Sequence, residues 1–185
     1  AYALCEYINA MGHECQIMDY RNENVENQYK FAPIFKNNTP IINLKRNLSV
    51  IKVVLGKKRN FRKWHSDLRK TVLVTKAELK KISNDFDRII VGSDQVWNTR
   101  CTNGDYSYLL DFVDEPEKKI SYAASFGSVG VSEENREVYA KLLSEFSMIS
   151  VREQSGADIV KQLCGKDAEV VADPVFLPDR SLWEE

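Results

Sequence analysis

A β-branched run that stops abruptly at a glycine is the feature that most constrains the fold of this chain. The run Ile89–Val91 is followed by Gly92 and then by three polar residues, 93–95. Unbroken β-branched runs are typical of strands that are buried on both faces of a parallel sheet. Gly92 permits a sharp turn or the close approach of a ligand. Because ligands of open α/β sheets bind beyond the carboxyl ends of the strands, this segment predicts a strand that leads into a site.

The patterns elsewhere predict strands and helices that alternate along the chain. We expect strands at 15–20, 86–91, 119–127, 149–152 and 169–174, and helices at 1–11, 76–82, 132–146 and 155–164. Alternation of this kind predicts an α/β fold, a Rossmann-like parallel sheet with helices on both faces. We expect residues 1–177 to form a single domain that starts inside its fold, because a first strand should precede the opening helix. Residues 178–185 would begin the connection to a C-terminal domain.

Polar or small residues follow four of the predicted strands. The four ends are Gly92-Ser93-Asp94, Ser125-Phe126-Gly127, Arg152-Glu153 and Asp173-Pro174. The carboxyl ends of parallel strands share one edge of a sheet, so these ends should form the rim of one cleft. Each end also has a plainer interpretation. The serine and aspartate residues can cap turns, and Arg152 can form a surface salt bridge with Glu153 or Asp158. The shared rim is favoured because the plainer view needs four separate coincidences.

The composition excludes several classes of protein. The chain has 185 residues and a net charge of −1, which gives no electrostatic footprint for nucleic acid. No apolar run approaches the roughly 20 residues of a membrane span. The four cysteines and two histidines lack the spacing of metal ligands. We therefore expect no metal site, and free thiols in a reducing cytoplasm.

A basic segment at 44–70 carries apolar residues at helical spacing. We interpret it as two short helices with a solvated basic face, preceded by an irregular, asparagine-rich stretch at 21–40. The alternative is a patch that approaches anionic substrates or the inner face of a membrane as a peripheral protein. Phe61 and Trp64 are expected in the core rather than as stacking platforms.

Four motifs of the chain resemble those of the polysaccharide pyruvyl transferase family. They lie at 86–98, which contains Gly-Ser-Asp-Gln-Val-Trp-Asn, and at 118–127, 149–157 and 171–177. The stretch from Ala1 to Tyr20 also resembles the first helix and second strand of that family, and the order and spacing of all the motifs agree. The resemblance implies a fold like the N-terminal half of the two-domain GT-B glycosyltransferases, with the active site in the cleft between the domains.

The same resemblance implies an activity and its participants. A pyruvyl group would pass from phosphoenolpyruvate to a sugar of a cell-surface polysaccharide or its lipid-linked precursor, as a cyclic ketal. Anion-binding and acid–base groups suffice for this chemistry, so no cofactor is expected besides phosphoenolpyruvate as donor substrate. Arg152 is the expected anion clamp, and Asp94 would bind or deprotonate a sugar hydroxyl. Other substrate contacts are expected from Gly92, Ser93, Gln95, Trp97, Asn98, Ser125 and Asp173. Core packing remains an open alternative for Trp97.

Two departures from the family pattern and two alternative functions stay open. We expect the opening strand of the family and its C-terminal domain, which would add basic and histidine residues to the donor site, to lie outside these 185 residues. Neither His13 nor His65 is a convincing general acid, so we expect the 185-residue chain on its own to be inactive. The alternatives are a nucleotide-sugar glycosyltransferase on the same fold and a non-catalytic sugar-binding domain.

Overall fold

The computed structural model describes residues 1–20, 22, 70–128 and 130–183. Apart from Asn22 and Lys70, the predictions for 21–40 and 44–70 fall outside the described residues, as do Phe61, Trp64 and His65. No helix within the described ranges is both long and apolar enough to cross a membrane.

Six short strands, all paired in parallel, form two sheets within these ranges. In the first sheet, β1 (Ile17–Tyr20) pairs with β2 (Lys70–Val74). The second sheet has the order β3-β4-β5-β6, with strands at Ile89–Val91, Lys119–Ala124, Met148–Val151 and Glu169–Val170. Neighbouring strands of this sheet follow one another in the chain and are parallel, so a crossover must join each pair. This is the predicted α/β, Rossmann-like class of fold.

The α-helices of the described residues lie before and between these strands. They are α1 (Tyr2–Ala10), α2 (Leu79–Ser83), α3 (Thr99–Thr102), α4 (Arg136–Ser144) and α5 (Gln154–Cys164). Short 3-10 turns lie at Lys76–Glu78, Tyr106–Leu109, Pro116–Lys118, Glu133–Asn135, Pro174–Phe176 and Arg180–Trp183. Helices α4 and α5 pack against each other, and α1 packs against the turn Pro174–Phe176.

Trp97 lies at the centre of the main hydrophobic core and is completely buried. Its ring packs against Phe126, with centroids 5.1 Å apart, and edge-on against Phe146 at 5.9 Å. Its indole nitrogen donates to the Tyr108 carbonyl at 2.9 Å, and the Tyr139 hydroxyl donates to the Trp97 carbonyl at 3.1 Å. Buried aromatic pairs of this kind add to the burial of apolar area. The segment after β3 is thus anchored to α4 and to the residues that follow β4.

A polar cluster around Asp105 joins the first sheet to the segment that follows α3. Its carboxylate accepts hydrogen bonds from Tyr20 at 2.5 Å, Asn22 at 2.8 Å and Lys76 at 2.9 Å. Burial acts to raise the pKa of Asp105, but the bonds from Tyr20, Lys76 and the Ser107 amide outweigh it and lower the pKa to about 2. Burial and the bond to Asp105 raise the pKa of the Tyr20 phenol to about 12.

Three predictions about the strands need correction. Ile90 is 38% exposed whereas Ile89 and Val91 are buried, so β3 alternates instead of being buried on both faces. The last predicted strand, 169–174, is reduced to its first two residues as β6. Strand β2 was not predicted at all, because the basic segment in front of it favoured helix. Its β-branched Thr71 and Val72 were the local signal.

Candidate active site

The four predicted strand ends meet at one edge of the second sheet, as the parallel order β3-β4-β5-β6 requires. Backbone hydrogen bonds continue past the strands and fasten the ends together. The Asp94 carbonyl accepts from the Ser125 amide at 3.0 Å, and the Arg152 amide donates to the Ala124 carbonyl at 3.1 Å. The Val171 amide donates to the Val151 carbonyl at 2.9 Å. The polar residues that follow the strands are therefore held in one continuous rim.

Gly92 makes the turn out of β3 possible, for two independent reasons. Its φ of 126° lies in a region that side chains with a Cβ rarely adopt. A Cβ at this position would also lie 2.0 Å from the carbonyl oxygen of Tyr122 in β4. The chain then continues through Asp94, which has a φ of 74° and forms a parallel bridge with Ala124. The turn brings the Asp94 backbone against the end of the neighbouring strand.

The guanidinium of Arg152 is the centre of the rim, and each of its three nitrogens faces a carboxylate. Its Nη1 lies 3.3 Å from Oδ2 of Asp173, within hydrogen-bond distance. Its Nε lies 3.7 Å from Oε2 of Glu153, and its Nη2 lies 3.8 Å from Oδ1 of Asp94. Residues from three different strand ends thus converge on one cation.

The three carboxylates differ in how firmly they are held. One oxygen of Glu153 accepts from the Ser125 hydroxyl at 2.6 Å, and one oxygen of Asp173 accepts from the Val175 amide at 3.1 Å. In both residues the other oxygen faces Arg152. The side chain of Asp94 is 81% exposed. Two of the carboxylates are therefore anchored, and the third extends into solvent.

Taken by themselves, the four side chains of this cluster do not balance in charge. One guanidinium faces three carboxylates, a net charge of −2 when all four groups are ionised. The rim as described is suited to hydroxyl groups, which can donate to carboxylates. A multiply charged anion would need further positive groups besides Arg152.

Four of the other predicted residues lie in or beside the rim. Gly92 and Ser93 are half-buried in the turn, and Gln95 is exposed, with its side-chain oxygen accepting from Asn98 at 2.8 Å. Asp173 contacts Arg152 as described above. These positions keep Ser93 and Gln95 near enough to the surface to serve as hydrogen-bonding groups, and that role stays a prediction.

Three of the residues that were predicted to contact substrate are buried within the protein. Trp97 is fully buried in the core, so its ring presents no face to a sugar, and the open alternative of core packing is the one observed. Asn98 is buried, accepts from the Arg100 amide and caps α3. Ser125 is 1% exposed, and its hydroxyl is used by Glu153 and by the Gly127 amide, which donates to it at 3.0 Å. We assign these three residues to the support of the rim.

Glu153 is the residue that the sequence analysis left out of the site. It was counted in the strand end Arg152-Glu153, but the only role considered for its side chain was a surface salt bridge with Arg152, with Asp158 as the other choice. The structure places Glu153 against Arg152, whereas Asp158 accepts from Gln154 at 3.0 Å. Its position directly before α5 and directly after a predicted strand that ends in Arg152 was the available signal. Within the described ranges, no three His, Cys, Asp or Glu side chains are grouped so as to hold a metal ion.

The family of the chain is identified by comparison with known proteins. The family model described as polysaccharide pyruvyl transferase matches residues 1–184. The chain belongs to the polysaccharide pyruvyl transferase family. No curated protein and no solved structure is similar enough to count as a match. The family supports a transferase that acts in polysaccharide biosynthesis, and the residues of the rim around Arg152 lie within the four motifs on which the resemblance was based.

Proposed function

We propose that the protein transfers the pyruvyl group of phosphoenolpyruvate to two hydroxyls of one sugar in a cell-surface polysaccharide or its lipid-linked precursor. The observation that carries the proposal is Arg152 at the carboxyl edge of the parallel sheet, within a chain of this family. This edge is where open α/β sheets bind ligands. A planar guanidinium suits the carboxylate and the phosphate of the donor.

The reaction requires proton transfer, an addition to one carbon and then a substitution at the same carbon. Protonation of the methylene carbon of phosphoenolpyruvate makes C2 electrophilic. One sugar hydroxyl adds to C2 and loses its proton, which balances the proton taken up by the methyl group. The second hydroxyl then displaces inorganic phosphate, which leaves with the second proton, and the ketal ring closes. General acid–base groups and fixed anion-binding groups are sufficient for these steps.

The described residues provide part of this machinery. Asp94 has an exposed carboxylate beside Arg152, so it is our candidate to accept the proton of the attacking hydroxyl. Arg152 would orient one end of the donor, and Ser93 and Gln95 would offer further hydrogen bonds to donor or sugar. The excess of carboxylates at the rim favours contact with the sugar hydroxyls. We therefore propose that most of the positive charge and the general acid of the donor site come from residues other than these.

The proposed surroundings of the reaction follow from its participants. A lipid-linked acceptor would be met at the inner face of the membrane, so we propose a cytoplasmic protein with peripheral membrane contact. The two-domain GT-B arrangement, with the donor and acceptor held between the domains, also remains a proposal.

The full-length protein can be tested directly by phosphorus NMR. Phosphoenolpyruvate is incubated with enzyme and a lipid-linked or polysaccharide acceptor, and the donor and inorganic phosphate signals are followed. We expect phosphate to appear in proportion to a new ketal methyl signal in the product. Release of a nucleotide from a nucleotide-sugar, with phosphoenolpyruvate unchanged, would favour the glycosyltransferase instead. Binding of the glycan without turnover of either donor would favour the sugar-binding domain.

A further inference from the structure

We infer that Glu153, locked by the buried hydroxyl of Ser125, is a positioning residue that fixes the orientation of the Arg152 guanidinium. The inference rests on the proposed function, since it treats Arg152 as the group that orients the donor. Glu153 and Ser125 touch no substrate in this scheme and act through Arg152.

The first step of the argument is the hydrogen-bond chain beneath the guanidinium. The Gly127 amide donates to the Ser125 oxygen at 3.0 Å, and the Ser125 hydroxyl donates to Oε1 of Glu153 at 2.6 Å. Ser125 is 1% exposed, and its backbone is itself bonded to Asp94 and Trp97. The hydroxyl proton is thus directed to a single acceptor by a rigid surrounding. One oxygen of Glu153 is fixed to the interior as a result.

The second step is the effect on Arg152. With Oε1 held by Ser125, the other oxygen of Glu153 lies 3.7 Å from Nε of Arg152. Asp173 is anchored in the same manner by the Val175 amide and lies 3.3 Å from Nη1. Two anchored carboxylates therefore face two of the three guanidinium nitrogens, which restricts the rotation of the group. The third nitrogen, Nη2, lies 3.8 Å from the exposed Asp94. A donor anion can approach at Nη2, because the Asp94 carboxylate is not anchored and is free to move.

The third step is the reason why orientation matters. The Nη2 group carries two N–H donors, and these point at a donor anion only when the guanidinium plane is correctly aligned. Displacement by about 1 Å of a group that positions substrate can lower kcat/KM by up to about 100-fold. An arginine on a flexible stem gains such alignment from its neighbours. Glu153 and Ser125 provide it from the interior, where solvent competes least.

The test uses the full-length protein with two variants and a matched control. Ser125→Ala removes the anchor and leaves the carboxylate, while Glu153→Gln keeps an acceptor for Ser125 and removes the charge. Glu133→Gln is the control, because Glu133 also lies 3.7 Å from an arginine Nε, that of Arg136. We expect KM for phosphoenolpyruvate to rise about 5- to 10-fold in both variants, with kcat changed less than about 2-fold. The control should not change.

A double-mutant cycle separates positioning from a general loss of structure. In an Arg152→Ala background, Glu153→Gln should change kcat/KM by less than about 2-fold, since its effect runs through the arginine. Equal effects with and without Arg152, or effects no larger than those of the control, overturn the inference. Glu153 is half-buried at a helix start, so its variant should fold even if Ser125→Ala does not.

A second readout does not depend on turnover. The Nε–H proton of Arg152 should exchange slowly with solvent in the unmodified protein and faster in Ser125→Ala and Glu153→Gln. Exchange that stays unchanged in both variants overturns the positioning role, whether or not the protein consumes phosphoenolpyruvate. Absence of phosphate release by the unmodified protein, with the expected exchange pattern, counts against the proposed function alone.

Discussion

Replacement of Trp97 distinguishes an aromatic residue of the core from one that stacks on a sugar. The side chain is completely buried and donates its indole N–H to the Tyr108 carbonyl at 2.9 Å. Truncation of a buried tryptophan to alanine costs about 3–5 kcal/mol. The orphaned carbonyl adds about 1–3 kcal/mol if water cannot reach it. Against a total stability of about 5–15 kcal/mol, Trp97→Ala should remove about a fifth of the folding free energy or more.

Trp97→Phe gives a finer measure of the same site. It keeps an aromatic ring against Phe126 and Phe146 but loses the indole donor, so we expect a loss of about 1–3 kcal/mol. Equilibrium unfolding in urea measures both variants. The free energy of unfolding falls by about 1–3 kcal/mol for each 1 M of urea, so a stability loss of 3 kcal/mol lowers the midpoint by about 1–3 M. The control is Phe176→Ala, because Phe176 is 78% exposed, and its change should stay within about 0.5 kcal/mol.

This reasoning would be refuted if Trp97→Phe left the stability unchanged and weakened the use of the sugar acceptor. Folded Trp97→Phe should bind the sugar acceptor with unchanged KM. If its midpoint in urea equals that of the unmodified protein while KM for the acceptor rises several-fold, Trp97 contacts substrate and its assignment to the core is wrong.

Two further changes test the turn and the cluster that hold the sheets. Gly92→Ala should lower the free energy of unfolding by about 3 kcal/mol or more, because its Cβ meets the Tyr122 carbonyl at 2.0 Å. Gly104→Ala, also at positive φ but with nothing within 4 Å, should cost only about 1–2 kcal/mol, and equal losses would contradict the steric argument. The lowered pKa of Asp105 contributes stability above pH 4 that is lost as the pH falls towards 2. Between pH 4 and pH 2 the free energy of unfolding should fall by about 1–2 kcal/mol less in Asp105→Asn than in the unmodified protein, after allowance for solvent screening. Equal falls in the two proteins would contradict the role of Asp105.

The arrangement of the rim could be predicted because it depends on chain order. Strands that follow one another and are parallel must present their carboxyl ends at one edge, so residues 92–94, 125–127 and 152–153 had to meet there. The sharp turn at Gly92 also follows from local sequence, although the close approach that the structure shows there is to β4 and not to a ligand. Neither inference required knowledge of side-chain packing.

The roles of individual side chains could not be predicted in the same manner. Trp97 stands among polar residues in sequence, and only the folded positions of Phe126 and Phe146 make it a core residue. Ser125 and Glu153 are 28 residues apart, and their 2.6 Å bond depends on the register of two strands. A pattern in one segment carries no information on such pairs. The sequence could therefore not show that Trp97, Asn98 and Ser125 are buried.

The most direct test of the central claim is the affinity of the full-length protein for phosphoenolpyruvate with and without Arg152. Hydrogen bonds to charged groups contribute about 1.5–3 kcal/mol, so calorimetry should show Kd for the donor about 10- to 150-fold higher in Arg152→Ala. Arg152→Lys, which keeps the charge but not the fork, should lie between the two. Arg136→Ala is the control: Arg136 lies at the start of α4, has Glu133 as a similar acidic neighbour, and its loss should leave Kd unchanged. Equal affinity of Arg152→Ala and the unmodified protein would contradict the assignment of this rim to the donor.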